Sequence, residues 1–333
     1  MRSRFGLVRA SASVDRATGH EFVNMCSCAY LGLNHHPAVI EGAVSALREA
    51  GTTWLVTSTT RIRHQLLARL EEELGELFGA QILPGTTCSA LTAGILPLVA
   101  SGHLAPGGPR VMVFDRHCHF CMSYVKPICA EESLVLTSDH NDYGLFLFID
   151  DSHSLSLVGE RGEGFVRSRL VMNPLTVIVT SLGKGFGTGG GVAMLGDPAM
   201  SRFLTRQAGP VGWSQNMALP LVGASLASAA IHRSSELGQL QRRLDENVAY
   251  FDELLPTSFA GNGLPVRRIT VGDADRAVQL SAELYRRGFY SSAVFFPIVP
   301  QGQAGLRIMI RADLGRSVLA TFADHVRELT DAA

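Results

Sequence analysis

The sequence has 333 residues, enough for one large domain with a sizeable core and a smaller second domain. Hydrophobic residues make up 46%, charged residues 18%, and the formal net charge is −1, which indicates a globular chain and no nucleic-acid partner. No apolar run is long enough for a membrane span, and residues 1–10 lack the apolar core of a signal peptide. Six cysteines in a chain of this size predict reduced thiols in a cytoplasmic protein rather than a disulfide framework.

The apolar pattern predicts strands that alternate with helices. In chain order the predicted elements are a strand and turn (23–33), helices (38–49, 63–78, 90–100), strands (111–114, 145–149, 176–180), a helical segment (225–253), and then strands (266–271, 306–310) between helices (274–287, 317–329). This order predicts an α/β architecture with a largely parallel sheet, followed by a separate α+β domain. In such sheets the chemistry lies at the carboxyl ends of strands, where Asp115, Asp150 and Lys184 are found.

Lys184 follows the third of these strands within a glycine-rich run, Gly183-Lys184-Gly185-Phe186-Gly187. Glycines allow a cofactor ring to approach the amine, and burial lowers a lysine pKa, as a Schiff-base amine requires. A lysine in a flexible glycine loop is the alternative interpretation. A phosphate loop is disfavoured because the Walker spacing is absent and no Ser or Thr follows the lysine.

Asp150 ends an apolar strand, where a carboxylate is costly unless it is paired. A pyridinium nitrogen is a suitable partner, because a protonated ring nitrogen makes the ring an electron sink. His153 is placed to contact the phenolic oxygen of the same ring. A helix cap or a metal ligand is the alternative role for Asp150.

Gly85, Thr86 and Thr87 precede a predicted helix, so their N–H groups and hydroxyls suit a phosphate at the helix N-terminus. On this signal alone an ordinary capped helix start is the better interpretation. Ser181, three residues before the lysine, offers a further phosphate hydrogen bond.

The segment His117-Cys118-His119-Phe120-Cys121 resembles part of a zinc site, because two histidines flank a CxxC pair. No second cysteine pair stands at a useful spacing, so we predict no metal and expect His119 to stack on a cofactor ring. Arg307, in a C-terminal strand, is predicted to bind a carboxylate in a bidentate way; a surface arginine is the alternative.

Together these motifs resemble those of the α-oxoamine synthases, a family of fold type I pyridoxal-phosphate (PLP) enzymes that includes aminooxononanoate synthase, aminolevulinate synthase and serine palmitoyltransferase. The resemblance runs from about residue 14 to the C-terminus and keeps the family's motif order. It rests on Tyr30-Leu31-Gly32-Leu33 with His36-Pro37, Asp115 to His119, Asp150 to Ser154, Ser181 to Gly187, Trp213-Ser214-Gln215, and Leu306-Arg307-Ile308.

The resemblance implies an α/β fold type I PLP-dependent transferase of the aspartate aminotransferase type, with a mostly parallel seven-stranded sheet. It implies an N-terminal segment (1–40) that packs with the small domain, a large PLP-binding domain (41–225), and a C-terminal small α+β domain (226–333). A homodimer with its active site at the subunit interface is expected.

The implied reaction is a usually decarboxylative Claisen condensation of an amino acid with an acyl thioester of CoA or an acyl carrier protein. Its product is an α-aminoketone, as in secondary-metabolite biosynthesis. By resemblance Lys184 carries PLP as an aldimine and acts as base, Asp150 and His153 bind the ring nitrogen and oxygen, and His119 stacks. The other implied contacts are to the phosphate (Gly85, Thr86, Thr87, Ser181, Ser214, Gln215) and to the substrate carboxylate (Arg307, Cys28).

The sequence departs from the family pattern in several places. Cys28 replaces an asparagine that is usual near the substrate carboxylate, and Ser154 stands where glycine is common. Between His119 and Asp150 a strand–helix crossover of roughly 30 residues is lacking. We therefore predict a segment missing between residues 142 and 143, and hence an intact mass well above 35.8 kDa; a measured mass of 35.8 kDa would contradict this.

Three other functions fit parts of the sequence. A PLP aminotransferase or lyase on the same fold shares the lysine and aspartate, and thioester-dependent CO2 release distinguishes it. A catalytically silent partner subunit is disfavoured by the presence of Lys184. A metal-binding module built on Cys118 and Cys121 predicts bound zinc and no visible chromophore.

Overall fold

The computed structural model describes residues 5–7, 12–15, 17–104, 111–131, 133–138 and 146–331. Its strands are β1 (Phe5–Leu7), β2 (Ala12–Asp15), β3 (Glu21–Asn24), β4 (Gln81–Gly85), β5 (Val111–Asp115), β6 (Leu134–Ser138), β7 (Leu147–Asp150), β8 (Thr176–Ser181), β9 (Gly191–Leu195), β10 (Val266–Gly272), β11 (Phe289–Tyr290), β12 (Ser292–Val294) and β13 (Ala304–Met309). Its α-helices are α1 (Pro37–Ala50), α2 (Gln65–Phe78), α3 (Cys88–Ala100), α4 (Phe120–Ser123), α5 (Lys126–Ala130), α6 (Pro198–Gln207), α7 (Gly209–Gly212), α8 (Leu219–His232), α9 (Ser235–Leu254), α10 (Ala274–Arg286) and α11 (Arg316–Asp331).

The chain divides into two compact units, Met1–His35 with Gly238–Ala333, and His36–Leu237. The sequence placed domain boundaries after residues 40 and 225, and the second of these lies inside α8. The segment 225–253 is helical as predicted except at residues 233–234, since α8 ends at His232 and α9 begins at Ser235. Ser234 separates them: its hydroxyl accepts the N–H of Glu236, as an N-cap does.

Four strands of the unit His36–Leu237 form one sheet in the order β4-β9-β8-β7. β7 is parallel to β8, and β9 is antiparallel to both β8 and β4, so β4, β7 and β8 run in the same direction. Side chains of β8 alternate between two apolar cores, with Val177 and Val179 in one and Ile178 in the other. One core contains residues of α3 and α6, and the other contains residues of α1, α2 and α8. The predicted α/β class is confirmed.

The predicted seven-stranded, mostly parallel sheet differs from what the described residues form. β5 and β6 pair in parallel as a separate two-stranded sheet, and two of the three pairings in the β4-β9-β8-β7 sheet are antiparallel. Eight residues, 139–146, separate β6 from β7, which is fewer than a strand–helix crossover requires. The junction at 142–143 lies outside the described residues, so the missing segment stays a prediction.

The other unit contains two sheets, β1-β2-β3-β11 and β10-β13-β12. Its core includes three phenylalanine rings: Phe322 lies 6.3 Å from Phe251 and 5.5 Å from Phe289 between ring centroids. Strands and helices alternate here as the sequence predicted for an α+β region. Among the described helices of the chain, none combines the length and apolarity that crossing a membrane requires.

α1 and α8 pack closely because glycines face each other at their contact. A Cβ atom on Gly223 would lie 2.2 Å from the carbonyl oxygen of Gly42 and 2.3 Å from the Cβ of Ala46. A Cβ on Gly42 would in turn lie 2.7 Å from the Gly223 carbonyl oxygen. The two helices therefore meet at a distance that excludes any larger side chain at these positions.

We expect Gly223→Ala to lower the free energy of unfolding by about 1–3 kcal/mol, because the new methyl group would push α1 away from α8. This loss would occur even though alanine is favoured over glycine within a helix by about 1 kcal/mol. Gly238→Ala in α9 is the matched control. There the new Cβ meets only the end of the flexible Arg242 side chain, at 3.4 Å, so stability should rise. Urea unfolding of both variants measures the difference, and equal shifts would contradict the close contact.

Candidate functional site

The carboxyl ends of β4, β7 and β8 lie at one edge of their sheet. The register joins them through β9, since Gly191 is opposite both Gly85 on β4 and Ser181 on β8. These two residues are therefore two strand spacings apart, about 10 Å. Asp150 ends β7 and is opposite Val179 on β8. The structure thus brings three predicted site residues to the same edge.

Lys184 lies in the loop that joins β8 to β9, three residues after Ser181. Gly187 and Gly190 have φ angles of 78° and 91°, which turn this loop and which other residues rarely adopt. A Cβ on Gly183 would approach only the Ser181 hydroxyl, at 3.5 Å, so the space beside the lysine is open. On the other side of the half-buried Lys184, Gly185 is tightly packed, since a Cβ there would lie 2.5 Å from the Leu155 carbonyl oxygen.

The N-terminus of α3 lies at the same edge. A Cβ on Gly191 would be 2.4 Å from the backbone nitrogen of Cys88, so the start of α3 packs directly against β9. Thr87 is the N-cap of α3, and its hydroxyl accepts the N–H of Ala90 at 2.9 Å. The capped helix start is therefore present, and the Thr87 hydroxyl keeps its own hydrogen to donate. A phosphate beside Gly85, Thr86 and Thr87 stays a prediction.

The carboxylate of Asp150 is oriented by Ser152. Its Oδ1 accepts the Ser152 backbone N–H at 3.0 Å and the Ser152 hydroxyl at 2.5 Å. The same hydroxyl accepts the Ser181 N–H at 2.9 Å, which ties the ends of β7 and β8 together. Oδ2 lies 3.7 Å from the sulfur of Cys121 on α4. One carboxylate oxygen is thus fixed by β7 and β8, and the other contacts α4.

Asp151 has different hydrogen-bond partners from Asp150. Its Oδ1 accepts the Ser154 hydroxyl at 2.5 Å, and its Oδ2 accepts the Val166 N–H at 3.0 Å. Burial raises the pKa of Asp151. Asp151 therefore holds the loop that follows β7, whereas Asp150 contacts α4.

His119, Cys121 and Asp150 come together although they are far apart in sequence. His119 is the N-cap of α4, where a ring nitrogen accepts the Cys121 N–H at 3.2 Å. Each of the three residues offers one ligand atom, and these atoms lie within 4.8 Å of one another. A hydrogen bond with Cys88 lowers the pKa of Cys121 to about 6, and the same bond raises that of Cys88. Sequence reasoning missed Cys88 as a site residue; its place directly after the Gly85-Thr86-Thr87 turn was the available signal.

The remaining predicted residues of this unit lie in loops. His153 is half-buried in the loop after β7. Ser214 and Gln215 lie between α7 and α8, and Ser214 is exposed. The next residue, Asn216, donates its side-chain N–H to the Pro84 carbonyl at 3.3 Å, which fixes this loop beside the end of β4.

Arg307 and Cys28 lie in the other compact unit, where both are close to Tyr30. Arg307 is on β13, opposite Arg268 on β10 and Ser292 on β12. Burial raises the pKa of the Tyr30 hydroxyl, a hydrogen bond with Cys28 adds to this, and the charge of Arg307 opposes it. Within the part of the chain that the structure describes, the Arg307 guanidinium has no carboxylate partner. The two residues predicted to bind the substrate carboxylate are therefore neighbours of one hydroxyl group.

The loop that follows Asp150 is anchored on the buried side chain of His232. A His232 ring nitrogen, Nδ1, lies 2.8 Å from the Ser228 carbonyl oxygen, and Nε2 lies 2.9 Å from the Ser156 hydroxyl. Since a carbonyl only accepts, Nδ1 donates and Nε2 accepts from Ser156. Ser156 has a φ of 72°, which is costly for a residue other than glycine, so this anchor holds a strained turn.

The family of aminotransferases of class I and II is matched over residues 131–326, more than half of the chain. Among curated proteins, an 8-amino-7-oxononanoate synthase from Marinomonas sp. (strain MWYL1) is 31% identical over 197 residues. That alignment covers 58% of this chain and 48% of the relative, so the match spans about half the length of the relative.

Solved structures share the fold over nearly the whole chain. Serine palmitoyltransferase from S. paucimobilis, a variant with a bound PLP–myriocin aldimine, has a TM-score of 0.84 at 15% identity, covering 99% of this chain and 92% of that chain. An 8-amino-7-oxononanoate synthase from Francisella tularensis has a TM-score of 0.76 at 16% identity, covering 93% of this chain and 98% of that chain. At such identities the likeness shows the fold, and it confirms the fold type I transferase architecture predicted from the sequence.

The buried His232 beneath the site loop makes stability depend on pH. Burial lowers its pKa from 6.5 to about 4, so as the pH falls the unfolded chain binds the proton first. The stability from neutral His232 is complete above pH 6.5 and is lost towards pH 4, a loss of about 2 kcal/mol between pH 8 and 5. His232→Gln, which keeps a donor and an acceptor, should remove that part of the slope. Urea unfolding from pH 8 to 5 tests this, and parallel curves for the two proteins would refute it.

Proposed function

The chain belongs to the aminotransferase class I and II family, and from this premise we propose that it is a PLP-dependent enzyme that joins an amino acid to an acyl thioester. The thioester is carried by CoA or by an acyl carrier protein, and the product is an α-aminoketone. One observation carries the proposal: Lys184 follows β8 at the sheet edge where Asp150 and the start of α3 also lie. The 31% identity to an 8-amino-7-oxononanoate synthase supports this class of reaction.

The residues at this edge fit the three groups through which a protein holds PLP. The amine of Lys184 suits the aldehyde, with open space beside Gly183. The Oδ2 atom of Asp150 suits the ring nitrogen, because Ser152 already orients Oδ1. The capped N-terminus of α3 suits the phosphate, since its first N–H groups have no partner within the helix.

The cofactor would supply a conjugated electron sink for negative charge at the Cα atom of the amino acid. The Lys184 amine would hold the cofactor through its aldehyde carbon and, when free, would accept the Cα proton of the amino acid. The Asp150 carboxylate would hold the ring nitrogen in its protonated form through a charge-assisted hydrogen bond. Bond formation between Cα and the acyl carbon would break the bond to the thiolate, and after loss of CO2 the Lys184 ammonium would return its proton to Cα.

Four further residues keep the roles predicted for them. The His119 ring would stack on the cofactor ring, and His153 would contact the ring oxygen. Arg307 and Cys28 bind the substrate carboxylate, which is supported by the Arg307 guanidinium having no carboxylate partner in the described chain. Cys28 carries a thiol where the family usually has the amide of an asparagine. The substrate amino acid therefore has to be identified by screening amino acids directly.

We further propose a cytoplasmic homodimer whose active site lies at the subunit interface. Ser214 and Gln215 are the residues expected to reach the phosphate of the second subunit. Their loop is held beside β4 by Asn216, and Ser214 is exposed, as a residue that contacts a partner chain must be.

The lysine content of the chain gives a sharp test of the cofactor. Lys126 and Lys184 are its only two lysines. We expect purified protein with added PLP to show a visible absorbance band that borohydride removes, and peptide mass mapping to find the reduced adduct on Lys184. Lys184→Ala should lack the band. Lys126→Ala, which loses only a contact with the Phe114 ring, should keep it. No band, or an adduct on Lys126, would overturn the proposal.

The alternative function is that of an aminotransferase or lyase on the same fold. The match to the aminotransferase class I and II family is the observation that supports it. Amino acids labelled at the carboxyl carbon separate the two. The condensation releases labelled CO2 and free thiol together, and only when an acyl thioester is present. A transaminase instead transfers nitrogen to a keto acid without any thioester.

A further inference from the structure

One group of side chains is not fully explained by the proposed reaction. The ring of His119, the thiol of Cys121 and the carboxylate of Asp150 each present a ligand atom, all within 4.8 Å of one another. Nitrogen, sulfur and oxygen donors of these kinds are those that Zn²⁺ binds in proteins. Cys121 is buried, so its thiol faces the other two groups inside the protein.

The spacing of these atoms suits a tetrahedral ion. The sulfur of Cys121 lies 3.7 Å from Oδ2 of Asp150. Around tetrahedral Zn²⁺, with bonds of about 2.3 Å to sulfur and about 2.0 Å to oxygen, two such ligands are about 3.5 Å apart. The ligand atom of the exposed His119 lies within 4.8 Å of the other two, so the His119 side chain has to approach them for one ion to bind all three. The Cys121 sulfur and the Asp150 oxygen are therefore already close to the separation that two ligands of one Zn²⁺ ion have.

Cys88 supplies a fourth donor. Its thiol is hydrogen-bonded to the thiol of Cys121 and lies 3.7 Å from the Ser152 hydroxyl. As the first residue of α3, Cys88 is held by the packing of that helix against Gly191. Cys88 lies outside the three ligand atoms that fall within 4.8 Å of one another, so its side chain has to move for its sulfur to complete the four-coordinate set that Zn²⁺ prefers.

Ser152 orients the Asp150 carboxylate through the oxygen that faces away from Cys121. Its N–H and hydroxyl bind Oδ1 of Asp150, so Oδ2 is the oxygen left to face the thiol. Such a partner is what a metal-ligating carboxylate commonly has, because it fixes the ligand before the ion arrives.

The structure moves the metal hypothesis away from the CxxC pair. Cys118 does not belong to the group; its sulfur lies 3.4 Å from the Ser123 hydroxyl. We propose that the PLP-free protein binds one Zn²⁺ through Cys88, His119, Cys121 and Asp150, and that Zn²⁺ and PLP exclude each other. The exclusion rests on the proposed function, which assigns Asp150 and His119 to the PLP ring. The thiol protons are released to solvent on binding.

The first experiment titrates reduced, PLP-free, full-length protein with Zn²⁺ against a chelator, and with Co²⁺ as a spectroscopic probe. We expect one equivalent of metal and a thiolate-to-cobalt absorption band. Cys121→Ser and Cys88→Ser should each weaken binding by on the order of a hundredfold, since even outer partners contribute tenfold or more. Cys118→Ser is the matched control and should bind as the wild type does.

Asp150→Asn keeps the shape of the site and should also weaken binding, and circular dichroism of each variant checks that it folds. No stoichiometric binding would overturn the proposal. An equal loss in Cys118→Ser would also overturn it, because the CxxC pair would then be the site.

The second experiment repeats the titration on PLP-loaded protein. We expect no metal uptake, and expect Zn²⁺ bound beforehand to prevent the visible band on later addition of PLP. A full equivalent of Zn²⁺ on the PLP-loaded protein would overturn the shared site. If the protein binds Zn²⁺ as described but never binds PLP, the proposed function fails and the metal site stands; if it binds PLP but no Zn²⁺, the reverse holds.

Discussion

The close contact at Gly191 fixes the geometry on which the candidate site depends. This residue pairs with Gly85 on one side and Ser181 on the other, and it leaves no room for a Cβ beside the first turn of α3. The end of β4, the start of α3 and the end of β8 are therefore held within a few strand spacings of one another. This arrangement also fixes where Lys184 lies, because only two residues separate it from Ser181 at the end of β8.

A second layer of order comes from polar groups that bind across the strand ends. The Ser152 hydroxyl donates to Asp150 and accepts from the Ser181 backbone, so one side chain couples the carboxylate to the lysine loop. On the far side, the thiols of Cys88 and Cys121 contact each other near the same carboxylate. The site is thus a network of satisfied donors and acceptors, which orients Asp150 before any cofactor or ion binds.

Two kinds of sequence expectation fared differently. The apolar periodicities of α1, α2 and β8 are strong, and these elements formed close to the predicted ranges. The helical segment 225–253 is interrupted where Ser234 caps α9. The described strands of the unit His36–Leu237 form a four-stranded and a two-stranded sheet instead of one large sheet, and eight residues cannot carry a crossover between β6 and β7. Periodicity reports which residues are buried, but not where a hydroxyl interrupts a helix or which strand edges find a partner.

The α/β class, the lysine among glycines and the carboxylate at a strand end could all be inferred from residue patterns, because they follow from short-range periodicity and from the cost of an unpaired charge. Which distant side chains meet at this edge became known from the folded arrangement. Cys88 and Cys121 are 33 positions apart, and Cys121 and Asp150 are 29 apart; no spacing rule relates them. They come together because α3 and α4 pack on the same side of the carboxyl edge, and that packing is a property of the whole core.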